Sequence, residues 1–392
     1  MSPKRKQNIL LMVAIAVIAL NLRPAIAGVG PLIPEIRLST GLSNTLLGML
    51  ITLPVLAFGM FSILTSLFTR KFGTSGTMAL ALVLLTIGIL LRVIPVVSSL
   101  YAGTIMLGVG IALGNVLLPG IVKRRFPHKV GLVTGIYSAM LGIGAALASG
   151  LSVPLSEHLN LGWRWSLGSW AAISVLGLLI WLPQMRTNKK EIPEKSLRAA
   201  ISHLSSSHLA WYVALFMGLQ SLTFYILITW LPDILIERGI SPVQAGWLLS
   251  VVQAVGAIGT FVMPSWAARR QRQRFPVALI LSCEIISLLG LMVSSLTLVQ
   301  TVFLAAFLGF SLGSSFGMAL LFIGLRARDS NTVNELSGMS QSIGYSLAAF
   351  GPASFGALHD VVHNWTIPLA ALLVVSVVKL WSGWKAGIDE FV

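Results

Sequence analysis

Apolar runs long enough to cross a hydrocarbon layer of about 30 Å recur along the whole chain, separated by short charged or turn-rich breaks. Read between those breaks, the pattern predicts helices over 9–36, 43–68, 75–95, 99–121, 131–156 and 163–183. A second set follows over 208–232, 242–267, 275–296, 299–322, 332–358 and 364–384. The long hydrophilic stretch 184–207, with Lys189-Lys190-Glu191 and Ser205-Ser206-Ser207, divides them into a six-helix half over 1–183 and another over 208–392. The expected fold class is an all-α membrane protein with twelve transmembrane helices. Lys4-Arg5-Lys6 ahead of Ile9–Leu20 resembles a secretory signal, and Ala25-Ile26-Ala27 has the form of a cleavage site. Arg23-Pro24 interrupts that approach and the run stays apolar through Ile36, so the segment reads as a retained first helix.

The two halves repeat one another. At an offset of 198, Pro34-Glu35-Ile36 aligns with Pro232-Asp233-Ile234, Gly41 with Gly239, Ser43 with Ser241, and Gly48 with Gly246. At an offset of 203, Thr134-Gly135 aligns with Ser337-Gly338 and Glu157 with Asp360. Six is an even number of crossings, so both copies enter the membrane from the same side. The expectation is a parallel repeat about a pseudo-twofold axis along the membrane normal.

Composition sharpens this picture. Of 392 residues, 56% are apolar and only 10% charged, against about 25% charged in soluble domains; the mean hydropathy is +0.88. The net charge of +15 does not point to nucleic acid, because the basic residues fall in short clusters between apolar runs. The N-terminus, the even-to-odd loops, 184–207 and the C-terminus hold 21 of the 27 Lys and Arg. The opposite loops hold Arg37, Arg92, Arg164 and Arg238, and Arg23 and Lys379 fall in spans. Short basic loops stay on the cytoplasmic side, which predicts a multi-pass inner-membrane protein with both termini cytoplasmic. The lone Cys283 excludes an intrachain disulfide and any Cys-rich metal site.

A charge inside a span is costly enough to mark function. Arg23, in Asn21-Leu22-Arg23-Pro24, is the clearest. Its planar five-donor fork suits small planar anions and stays charged, while Pro24 should kink the helix and free carbonyls. The competing reading is that Arg23 only pairs with a neighbouring helix. Glu284 in the ninth span is a candidate proton carrier; the alternatives are a protonated interhelical hydrogen bond or a partner for Arg23. Asn115, Tyr137, Gln220, Tyr225, Gln253, Gln341 and Tyr345 can orient a solute or tie helices together. As a set they fall on spans 4, 5, 7, 8 and 11, as a central cavity would require. Gly142, Gly144 and Gly150 read first as close-packing positions.

Several classes are excluded. The chain has no G-x-x-x-x-G-K-[ST] loop for ATP, no nucleophile–base pair, and no metal-ligand spacing. His359, Asp360 and His363 come nearest to a metal set, but a solvated outer loop accounts for them. No enzyme activity, cofactor or metal is expected.

Asn21-Leu22-Arg23-Pro24 with Gly30-Pro31-Leu32-Ile33-Pro34 resembles the opening signature of the cyanate porter family of the major facilitator superfamily. Asn115-Val116-Leu117-Leu118-Pro119 with Val122-Lys123-Arg124-Arg125-Phe126 is similar to that family's fourth span and exit. The likeness continues through Gly218-Leu219-Gln220-Ser221-Leu222, Phe224-Tyr225, Trp230-Leu231-Pro232 and Ser337-Gly338-Met339 to His359-Asp360. It implies the major facilitator fold, alternating access in a monomer, and a small solute of the cyanate, nitrate-like or nitroimidazole-like kind. It also implies that Arg23 is the principal solute-binding residue, with Asn21 beside it. Protons are a candidate coupling ion. Two departures stand out: Arg70 occupies the acidic position of the superfamily loop motif expected at Ser66–Ser75, and the fifth span lacks G-P-x-x-G-G. The rival readings are an exporter of neutral amphipathic antimicrobials and, from another class, a membrane channel or receptor.

Overall fold

A computed structural model describes residues 3–126, 130–187, 206–293, 296–328 and 330–392. Every regular element among them is helical. The chain forms two compact units, one of residues 1–40 with 53–194 and one of 41–52 with 195–392.

In the first unit the opening run is three helices, α1 (Pro3–Asn21), α2 (Pro24–Ala27) and α3 (Val29–Thr40). α4 (Asn44–Leu91), whose residues up to Thr52 belong to the second unit, contains two spans joined at Gly73, whose φ of 71° only glycine adopts freely. α5 (Val97–Arg125), α6 (Val130–Glu157), α7 (Gly162–Gly168) and α8 (Ala171–Trp181) follow, and a 3-10 turn over Leu182–Thr187 ends the unit. α1 packs against α6 and α8, and α2 and α3 lie along α6. The expected linker falls largely on 188–205, outside the described residues.

The second unit holds α9 (His208–Glu237), α10 (Pro242–Ala267), α11 (Arg274–Met292), α12 (Leu298–Arg326), α13 (Ser330–Val362) and α14 (Thr366–Ala386). Serine and threonine caps open three of them: Ser207, Ser241 and Thr297 each accept from the backbone N–H three residues on. α10 and α12 approach at Gly256 and Gly313, where a methyl group on either would strike the other backbone or its neighbour. α9 pairs with α13, and α11 with α12 and α14. Phe216, Met217, Val277, Ile280, Met318 and Phe322 centre the packed interior.

Eleven stretches among the described residues are helices long and apolar enough to cross a membrane. α13 stands at the remaining position, more polar but 33 residues long. Phe261, Val262, Phe303, Leu179 and Val374 are among many large apolar side chains left exposed, as lipid-facing surfaces require.

Asp360 departs from the solvated-loop expectation. With His359 it lies in the last turns of α13, half-buried, where its carboxylate accepts from the N–H groups of Asn44 (3.0 Å) and Thr45 (2.8 Å) and from Thr45 Oγ1 (2.8 Å). It thus caps the start of α4 from another element, satisfying donors a helix end leaves free. Burial alone would push this carboxyl up, but the Thr45 and Asn44 donors outweigh burial and hold it below its ordinary value. A carboxyl lowered in the folded state stabilises above the unfolded pKa of about 3.9, and that stabilisation fades as pH falls through the lower folded value. Asp360→Asn keeps one acceptor oxygen and sets an NH2 against the other donor, so it is expected to lower Tm at neutral pH, by about 0.5–1.5 kcal/mol of stability, and to flatten the acid limb of a Tm-against-pH curve. Identical curves for both proteins would remove the cap from the account.

Candidate functional site: the broken first span

Three prolines set the local structure of the first span. Pro24, Pro31 and Pro34 lack N–H groups, so the carbonyls of Leu20, Ala27 and Gly30 lose their usual i+4 donors. At Leu22-Arg23 the helix gives way to a turn, with Leu22 N–H donating to Ala19 O (3.2 Å) and Arg23 O accepting from Ile26 (3.1 Å) and Ala27 (3.0 Å). The freed Ala27 carbonyl accepts from Ser149 Oγ on α6 at 3.3 Å. Leu20 O lies where a side chain on Gly144 of α6 would stand. Gly144, expected as a packing glycine, is where α6 admits the carbonyl that Pro24 freed.

The same turn presents the predicted polar residues of the first unit. Asn21 is 1% exposed, and neither its Oδ1 nor its Nδ2 has a partner. Arg23 is half-buried. Leu22 fills the space left by Gly114 of α5, next to half-buried Asn115. Tyr137 lies two turns before Gly144, hence on the same face of α6 about 10 Å away. Asn21, Arg23 and Asn115 thus share one turn and its neighbour, and Tyr137 lies further along.

In the second unit α9 and α13 touch at Gly218 and Gly344, where the Cβ of the first would meet the Cα of the second at 3.3 Å. That contact brings Gln220 near Gln341 and Tyr345 in height along the pair. Gln220 is buried and donates to Ser221 Oγ (2.7 Å) and Met217 Sδ (3.3 Å), and Gln341 donates to Ser337 Oγ (2.8 Å). Tyr225 is buried with its ring edge-on to Phe224, and half-buried Tyr345 packs against the unit's core. Gln253, on α10, is buried with its Nε2 unpartnered.

Glu284 has a different partner from the one considered for it. It is fully buried, and Lys379 Nζ of α14 sits 2.6 Å from its carboxylate. Ser376 Oγ (2.6 Å) and Ser311 Oγ (3.0 Å) donate to the same carboxylate, and Lys379 also donates to Thr223 Oγ1 at 3.3 Å. Arg92 also departs from expectation: counted as a loop residue, it is 1% exposed and donates through Nη1 to Ala25 O at 2.8 Å.

These are the parts of a membrane transporter: apolar spans in two helical units, a discontinuous helix with buried polar groups, and no sequence motif for ATP. Residues 9–352 match the Major Facilitator Superfamily, and the chain belongs to that family. It is 40% identical to the uncharacterized transporter YycB of Bacillus subtilis (strain 168) over 99% of this chain and 96% of that one. It is 38% identical to the 2-nitroimidazole transporter of Escherichia coli (strain K12), covering 98% and 97%. It is 28% identical to the cyanate transport protein CynX of the same organism, covering 93% and 94%. These relatives are transporters, not enzymes, and the resemblance read from Asn21-Leu22-Arg23-Pro24 agrees with them.

Proposed function

We propose that this transporter carries a small anionic or nitro-bearing solute, cyanate- or nitrate-like or nitroimidazole-like, across the inner membrane by alternating access. Arg23 is its principal solute-binding residue, with Asn21, Asn115 and Tyr137 from the first half and Gln220, Tyr225, Gln253, Gln341 and Tyr345 from the second. The observation that carries this reading is the buried Asn21 amide, unpartnered at both atoms, two residues from Arg23 on a proline-broken helix. Buried amides are normally satisfied, so a solute accepted there supplies what the fold leaves open, and Arg23 supplies charge. The names of two relatives, for 2-nitroimidazole and cyanate, support the solute class. The Lys and Arg distribution supports cytoplasmic termini. The chain acts as a monomer.

The test is uptake and counterflow of candidate solutes in proteoliposomes. Losing a charge-assisted contact costs about 2–5 kcal/mol, so Arg23→Ala is expected to weaken transport about thirty-fold or more with Tm unchanged. Full activity in Arg23→Ala would refute the assignment. Tolerance of Arg23→Gln together with export of neutral antimicrobials would establish the rival exporter instead.

A further inference from the structure

The first unit contains a buried cation with no carboxylate beside it among the described residues. Arg92 follows the last residue of α4, and its stem lies against Gly103 of α5, where a Cβ would stand 3.0 Å from Arg92 Cγ. One guanidinium nitrogen, Nη1, donates to Ala25 O. Nε and Nη2 are buried with no acceptor. Among the described residues no carboxylate lies within 4.0 Å of Arg92, whereas the buried cations Lys379 and Arg326 have Glu284 and Asp389. A guanidinium does not shed its proton in proteins, and a buried charge without a partner is strongly disfavoured.

The unpartnered nitrogens are not an arbitrary pair. Nε–H and Nη2–H form the side edge of the guanidinium, two parallel donors with the spacing that grips planar oxyanions bidentately. Gly168 packs on Val93, and two residues on, the buried Trp170 indole N–H also lacks an acceptor. Arg92 Nε, Arg92 Nη2 and Trp170 Nε1 are thus three buried donors without an acceptor, where buried polar groups are normally satisfied.

We propose that Arg92 binds a small monovalent anion, halide or nitrate, through Nε and Nη2, as a site separate from Arg23 that holds the end of α4 to the broken first span at Ala25. This inference does not rest on the solute reading, since it would hold whatever Arg23 binds.

Two measurements on the full chain decide it. Crystals grown in bromide are expected to give an anomalous peak beside the Arg92 guanidinium. Replacing gluconate by bromide at constant ionic strength is expected to raise Tm in wild type and in Arg23→Ala, and not in Arg92→Met. If Arg92→Met does not fold, Arg92→Lys, which keeps the charge but loses the fork, is expected to reduce the bromide shift. The proposal is overturned by an empty anomalous map at Arg92, by a peak with no anion-dependent stabilisation (an adventitious ion only), or by a shift undiminished in the Arg92 variants. A shift lost in Arg23→Ala but kept in Arg92→Met would move the anion to Arg23 and overturn it as well.

Discussion

Lys379→Met is expected to destabilise the protein by about 3–5 kcal/mol, because it strands Glu284 as an unpaired charge in a dry interior. Glu284, Lys379, Ser311, Ser376 and Thr223 are all 0% exposed, and they come from four helices, α9, α11, α12 and α14. Every group around the carboxylate is fully buried, so once the ammonium is gone the stranded charge reaches solvent only if the helices separate. The loss should be read as a lower Tm and a smaller monodisperse fraction in detergent. Glu284→Gln combined with Lys379→Met is expected to recover most of it, since the amide can still accept from Ser311 and Ser376 and no charge remains. Equal destabilisation in the single and double variants would sink the ion-pair account. The double variant also tests Glu284 as a proton carrier. Normal transport with normal coupling makes the pair a structural tie, whereas a stable double variant that transports only by facilitated diffusion assigns it to coupling.

This pair shows where sequence reading stops. Glu284 and Lys379 were each visible as lone charges in apolar runs, but 95 residues separate them, and no helical spacing links positions on different spans. The span pattern itself was legible because hydrophobic length is a local property. The break at Asn21-Leu22-Arg23-Pro24 was legible because proline acts on its own helix. Helix ends were less so. The third span was expected to run to 95, whereas α4 ends at Leu91, and a charge at such an end looks like a loop residue. Only the packing of Arg92 on Ala25 and Gly103 shows that it is enclosed. Asp360 was misread for a related reason: polar residues at a helix end look solvated until the element they cap is known. The polar candidates Gln220 and Gln341 were identifiable by type, yet their hydrogen bonds to Ser221 and Ser337 depend on rotamers that sequence does not specify.

Gly144 is the position where a single methyl group should do most damage to the first unit. Its Cα faces the Leu20 carbonyl, and a Cβ built there overlaps that oxygen and stands 3.0 Å from the Leu20 carbonyl carbon. The obstacle is backbone, so no rotamer change relieves it, and α1 must move away from α6. Overpacking typically costs about 1–3 kcal/mol, occasionally more, and a clash with a rigid carbonyl belongs at the upper end. The displacement falls on Leu20, one residue before the unpartnered Asn21 and three before Arg23, so it should disturb solute binding beyond its effect on stability. Gly144→Ala is therefore expected to lower Tm and transport together, and Gly144→Leu to prevent folding. Gly120 on α5 is the control, because nothing lies within 4 Å of its Cβ position. Gly120→Ala should be neutral or slightly stabilising, since alanine favours a helix by about 1 kcal/mol over glycine. If Gly144→Ala matches wild type in both Tm and uptake, the Leu20 carbonyl does not hold the broken span against α6, and the geometry assigned to Asn21 and Arg23 loses its anchor.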